Sequence, residues 1–189
     1  DNMEPLDQIG LEPGTGAIID NRPEEEKLKD FQLKEIVASV APVQWLEKPA
    51  SQWRKFPDQN QGTSNSCVAQ TIKKLAGIQI WLKEKSYLPF SATHIYQQRS
   101  NKPAPGMIGV EAFDLWRKGI TLEQLVPSEK MTDTEMDNEK IEQYEKDIGK
   151  IFSIGGHIGI VNGDFETIAS VIQTTGKGAM VWFYFMSDE

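Results

Sequence analysis

The residues best equipped for chemistry fall in one stretch, Asn60-Gln61-Gly62-Thr63-Ser64-Asn65-Ser66-Cys67-Val68-Ala69. Cys67 is the one cysteine in the chain and opens a run with helical spacing. At a helix N-terminus, unpaired backbone N–H groups and the macrodipole favour the thiolate, the nucleophilic form of cysteine. Gln61 lies just upstream, across a glycine-containing turn. Its side-chain amide is placed to donate to an oxyanion forming near the sulfur, with the Cys67 N–H as second donor. The competing reading is a buried structural cysteine behind a polar loop.

A cysteine nucleophile needs an imidazole within hydrogen-bond reach and a group that orients the ring. Only two histidines are present, His94 and His157. His94, beside Ile95 and Tyr96, reads as a helix-face or partly buried residue. His157, in Gly155-Gly156-His157-Ile158-Gly159, reads as a turn entering a strand, and as a base only in a rearranged site. Two histidines and one cysteine at wide spacing make no recognisable metal set, and no cofactor is implied.

The elements that must position these groups follow from periodicity and punctuation. Residues 1–41 read as an N-terminal arm or a pro-segment-like extension that occupies the cleft until removed: extended and Pro/Gly-rich over 1–23, then an amphipathic helix over 24–40 with Leu28, Phe31, Val37 and Val40 on its stripe. Gly14-Thr15-Gly16 lacks the Lys-Ser/Thr of a phosphate loop and is turn chemistry. Residues 42–60, with Trp45 and Trp53 among prolines, read as ordered coil. Ser66 reads as the N-cap of a strong helix over 67–84. Its apolar side carries Val68, Ile72, Leu75 and Leu82, and Gly77 inside it points to close packing. Further helices are expected over 92–99 behind Ser91, and over 109–118 up to a stop at Gly119. Residues 129–150 read as a solvated helical face anchored by Met136, Ile141, Tyr144 and Ile148. A strand over Ile158–Val161, a helix from Asp164 to about Thr174, and a buried strand over Ala179–Met186 complete the pattern.

The cysteine segment resembles the nucleophile region of papain-like cysteine peptidases, Asn-Gln-Gly-Ser-Cys-Gly-Ser-Cys-Trp-Ala, through Asn60, Gln61, Gly62, Ser66, Cys67 and Ala69. Val43-Gln44-Trp45-Leu46-Glu47-Lys48 is similar to the opening of the family's mature domain. Ser91, Ile95-Tyr96 and Arg99 are similar to a Ser-x-x-x-(Leu/Ile)-Tyr-x-x-Arg helix of some members. Gly106–Ala112, Gly119-Ile120 and Glu123-x-x-x-Pro127 resemble a family stretch in which a glycine turn lies along the substrate backbone. The resemblance covers about residues 42–186. It implies an α+β papain-like fold with an N-terminal extension, a domain over 42–189, and hydrolysis of peptide bonds. Cys67 would be the nucleophile and Gln61 the oxyanion donor. Gly106 and Asn65 would lie beside the substrate.

The pattern also departs from the family. Ser64 replaces a disulfide cysteine, Asn65 a glycine and Val68 an aromatic residue. The family's His and Asn follow the cysteine by roughly 130–150 residues, which places them past Glu189. The fold is therefore expected to be incomplete, the mainly helical half plus the first strand of the other. A following segment or partner chain would cover the strand Met180–Phe185. Two functions compete on these grounds. One is a cysteine peptidase, present as a fragment or as one chain of the full enzyme. The other is a catalytically incomplete papain-like module with a structural or protein-binding role, its arm reaching to a neighbour.

The 189 residues, 39% hydrophobic and 25% charged, allow a sizeable core. A net charge of −8 without a Lys/Arg cluster disfavours nucleic acid and anionic membranes as partners. No apolar run reaches the ~18 residues that span a bilayer. A lone cysteine excludes an internal disulfide and suits a reducing compartment. Residue 1 is Asp, so the sequence reads as processed, trimmed or a fragment, with no signal-peptide region from which to judge targeting.

Overall fold

A computed structural model describes residues 17–18, 20–27, 42–44, 56–157 and 165–181. The chain order is β1 (Ala17–Ile18), α1 (Glu24–Lys27), α2 (Cys67–Glu84), α3 (Ala92–Tyr96), β2 (Met107–Ile108), α4 (Gly109–Lys118), α5 (Asp133–Asn138), α6 (Gln143–Ile151) and α7 (Phe165–Thr175). Several expected features lie outside the described residues: the arm helix beyond Lys27, Trp45, Trp53, the strand Ile158–Val161, Asp164, and the final strand from residue 182 onward. The first three residues of that expected strand, Ala179–Val181, are coil.

The long helix α2 is the spine. It runs over the expected span because Val68, Ile72 and Leu75, with Ala69 and Ala76, recur at helical spacing and are all buried. Leu82, expected on the same side, is exposed. Gly77 sits where a Cβ would lie 2.5 Å from the Tyr87 ring and 2.9 Å from the Leu88 carbonyl oxygen. The glycine, poor in helix propensity, admits the returning chain. Helices α3 and α4 pack on α2, and Phe90, Ile95, Tyr96, Trp116 and Ile120 fill the space between.

Helix α3 starts as expected, with Ser91 Oγ accepting the His94 N–H at 3.1 Å, but ends at Tyr96. The next residues turn so that Arg99 is buried, its side chain reaching Asp137. Helix α4 ends at Gly119, whose φ of +131° suits glycine alone. There the chain presses on α6, and a Cβ at Gly119 would fall 2.5 Å from the Gly149 backbone.

The expected solvated face over 129–150 is corrected in three respects. It is two helices, each opened by its own capping box, Thr132 with Glu135 and Glu142 with Glu145. Glu145 is buried, while Met136 is buried as expected of an anchor. Tyr144, expected as an anchor, is 56% exposed because its ring points off α6, its hydroxyl donating to Glu145. Glu123, the acidic residue ahead of Pro127, folds the chain back toward α2. Its carboxylate accepts the N–H groups of Ser128 (2.7 Å) and Glu129 (3.1 Å), the Ser128 hydroxyl, and buried Lys73 Nζ at 3.0 Å.

The described strand of the arm lies on its own chain. Ala17 and Ile18 form a parallel pair with Met107 and Ile108, and Ala17 packs on the core. Residues 42–44 are tied to α7, where Gln173 Nε2 donates to the Pro42 carbonyl and the Gln44 N–H donates to Gln173 Oε1.

Candidate active site

Cys67 is the first residue of α2, half-buried, with its side chain partly against the core. The turn before it is built from its own polar groups. The Gly62 N–H donates to Asn60 Oδ1 at 2.8 Å, which starts the turn. The Gln61 carbonyl accepts both the Ser64 N–H (3.2 Å) and the Ser64 hydroxyl (2.7 Å). The buried Ser64 hydroxyl also meets Ser66 Oγ at 2.7 Å. A serine thus fastens the loop by hydrogen bonds at the position where the resembling family has a disulfide cysteine.

Ser66 occupies the N-cap position, yet its hydroxyl does not cap the helix. The expectation of a side-chain cap is corrected because Oγ is turned inward, to Ser64 and to Gln70 Nε2 at 3.4 Å. The Ser66 hydroxyl therefore does not occupy the N–H groups of the first turn of α2.

Asn65 is fastened from the other side. Its N–H donates to Asp133 Oδ1 at 2.9 Å and its Nδ2 to Asp133 Oδ2 at 2.8 Å. Asn60 is held nearby by the Lys130 N–H, which donates to its carbonyl at 3.2 Å. Gly106 stands in the turn before β2. Its N–H donates to the Tyr96 hydroxyl at 3.0 Å, and its carbonyl accepts Asn101 Nδ2 at 3.2 Å. Both backbone groups are thus engaged within the chain, and the neighbouring edge at Met107–Ile108 is the one on which Ala17–Ile18 lies.

Neither histidine is arranged like a poised base. His94 is buried against α6, with Nδ1 lacking a hydrogen-bond partner. Burial above all, then the nearby Lys146, lowers its pKa to about 4, against a small opposing effect of Glu145. Such a ring is neutral near pH 7 and closed off from solvent. The His157 ring stacks on Phe113 of α4, with centroids 5.0 Å apart and planes 22° from parallel. Among the described residues, no three His, Cys, Asp or Glu side chains group as a metal set, and no helix is long and apolar enough to cross a membrane.

Asp133 and Asp137 join the site without having stood out in the sequence. Thr132 followed by Glu135 is the available signal, since a capping box there places Asp133 at the head of a helix.

Comparison with known proteins adds to this geometry. No protein-family model and no curated protein matches the chain. Among solved structures, the crystal structure of xylellain, a cysteine protease from Xylella fastidiosa, is similar with a TM-score of 0.64 at 17% sequence identity. The match covers 86% of this chain and 63% of the xylellain chain, so the chain spans under two thirds of that neighbour's length. At that identity the likeness concerns architecture: a mostly helical α+β chain with a small sheet, folded in the papain-like manner.

Proposed function

We propose that the chain carries the nucleophile of a cysteine-type peptidase. The observation that carries the reading is the half-buried Cys67 at the head of the 18-residue helix α2, behind a self-fastened turn that contains Gln61. The Cys67 thiolate attacks the peptide carbonyl carbon, forming an S–C bond. The Gln61 side-chain amide and the Cys67 N–H hold the resulting oxyanion. The amine leaves with a proton from an imidazolium, and water then hydrolyses the thioester to a carboxylic acid and the thiol. The imidazole and its orienting group come from residues past 189 or from a second chain, since His94 is buried against α6 and His157 is stacked on Phe113.

The substrate backbone lies along the Met107–Ile108 edge. The pairing of Ala17–Ile18 with that edge favours a pro-segment role for the arm over reaching to a neighbouring molecule. The test is hydrolysis of a peptide mixture, with labelling by iodoacetamide, by the chain together with its following segment. Hydrolysis and labelling both vanish in Cys67→Ala. Full hydrolysis in that variant, or a wild type that cleaves nothing even after residues 1–23 are removed, removes the peptidase reading and leaves an inactive papain-like module.

A further inference from the structure

The Cys67 loop and the turn into β2 are far apart in sequence, yet one short helix grips both. On α5, Asp133 and Asp137 are four residues apart and share a face. Asp133 accepts both Asn65 donors, at 2.9 and 2.8 Å. Asp137 accepts the fork of Arg99, from Nη1 at 2.6 Å and Nη2 at 2.9 Å. Arg99 Nε in turn donates to the Ala104 carbonyl at 3.0 Å, in the turn that ends at Gly106. Fully buried Tyr96 packs on this fork, its ring centroid 3.8 Å from the Arg99 guanidinium carbon. The Tyr96 hydroxyl accepts the Gly106 N–H and faces the Asp133 carboxylate. Neither carboxylate is needed to start α5, because Thr132 and Glu135 do that between them.

We propose that Asp133, Tyr96 and Asp137 are positioning residues that set the spacing between the Cys67 sulfur and the β2 edge on which a peptide backbone lies. The proposal rests on the peptidase reading for the identity of the ligand, and deepens it by naming the groups that align the scissile bond. None of the three touches the reacting atoms. Placement errors near 1 Å can cost on the order of a hundred-fold in rate, so a clamp between nucleophile and substrate edge has a large effect. It also gives Asn65 a purpose: a glycine there keeps one of the two bonds to Asp133, and asparagine keeps both.

The test compares the full chain with its Tyr96→Phe and Asp133→Asn variants, using two thiol reagents. Iodoacetamide reports on Cys67 alone. A peptidyl chloromethyl ketone reports on the sulfur and on the alignment of a peptide backbone beside it. The iodoacetamide rate stays within roughly two-fold of wild type, while the peptidyl reagent slows by at least about ten-fold. In parallel, hydrogen exchange speeds up at both the Asn65 and Gly106 amides in each variant. A wild type that prefers the peptidyl reagent, with the preference kept in both variants, overturns the proposal. A wild type with no such preference, both before and after removal of residues 1–23, overturns the peptidase reading instead, and exchange then judges the clamp. Exchange that speeds up at both amides supports it; exchange that speeds up only beside the altered side chain overturns it. Tyr96→Phe keeps the ring and the Arg99 stack, so it supplies both measurements even where Asp133→Asn folds poorly.

Discussion

His94 shows how much one buried side chain can impose on the conditions under which the protein persists. Above pH 6.5 its ring is neutral both folded and unfolded, so it adds no pH dependence. As pH falls from 6.5 toward about 4, the unfolded chain binds a proton that the folded chain refuses, and stability drops. Each tenfold difference in proton affinity between the two states is worth about 1.4 kcal/mol, so the loss approaches roughly 3 kcal/mol by pH 4. Urea unfolding at a series of pH values checks this: His94→Asn flattens the slope between pH 6.5 and 4, and an unchanged slope assigns the acid sensitivity elsewhere. The residue scale is also where the sequence says least. Cys67, Gln61 and Asn65 stand out because their neighbours form a recognisable string. Asp133 does not, because its bond to Asn65 crosses 68 positions and leaves no local trace. The Lys73–Glu123 pair, 50 positions apart, is silent for the same reason.

Elements are more legible, because their signals are local. The bounds of α2 and α4 follow from apolar spacing and from where glycine stops a helix, and the structure returns the expected spans. The division of 129–150 into α5 and α6 is harder to see, although both capping boxes are written in the sequence; the density of charge hides them. Exposure differs from expectation at Leu82 and Tyr144, since what covers a helical face is settled by other elements. Glycine contacts make the packing testable. Gly77→Ala gains up to about 1 kcal/mol of helix propensity. It must also displace the Tyr87 ring and the Leu88 carbonyl, and overpacking of this kind costs typically ~1–3 kcal/mol. Thermal unfolding of Gly77→Ala shows a lower midpoint than wild type. Gly119→Ala falls further, because its φ of +131° and the Gly149 backbone at 2.5 Å leave nowhere for the new carbon.

For the whole molecule, the papain-like architecture is expected from motif order, and its likeness to xylellain agrees. The fate of the arm is not readable in the same way, since two residues of strand have no pattern of their own and their partner lies in Met107–Ile108. If the arm covers the substrate edge, removing residues 1–23 raises the rate at which a peptidyl chloromethyl ketone labels Cys67 and leaves the iodoacetamide rate near wild type. Equal labelling of trimmed and untrimmed chains by the peptidyl reagent removes the pro-segment role. The parallel pairing of Ala17–Ile18 also bears on handling. A trimmed chain shows bare amides and carbonyls along that rim, an invitation to any passing polypeptide, including another copy of itself. Light scattering should rise with concentration after trimming and subside when a short peptide is added to take the vacated place.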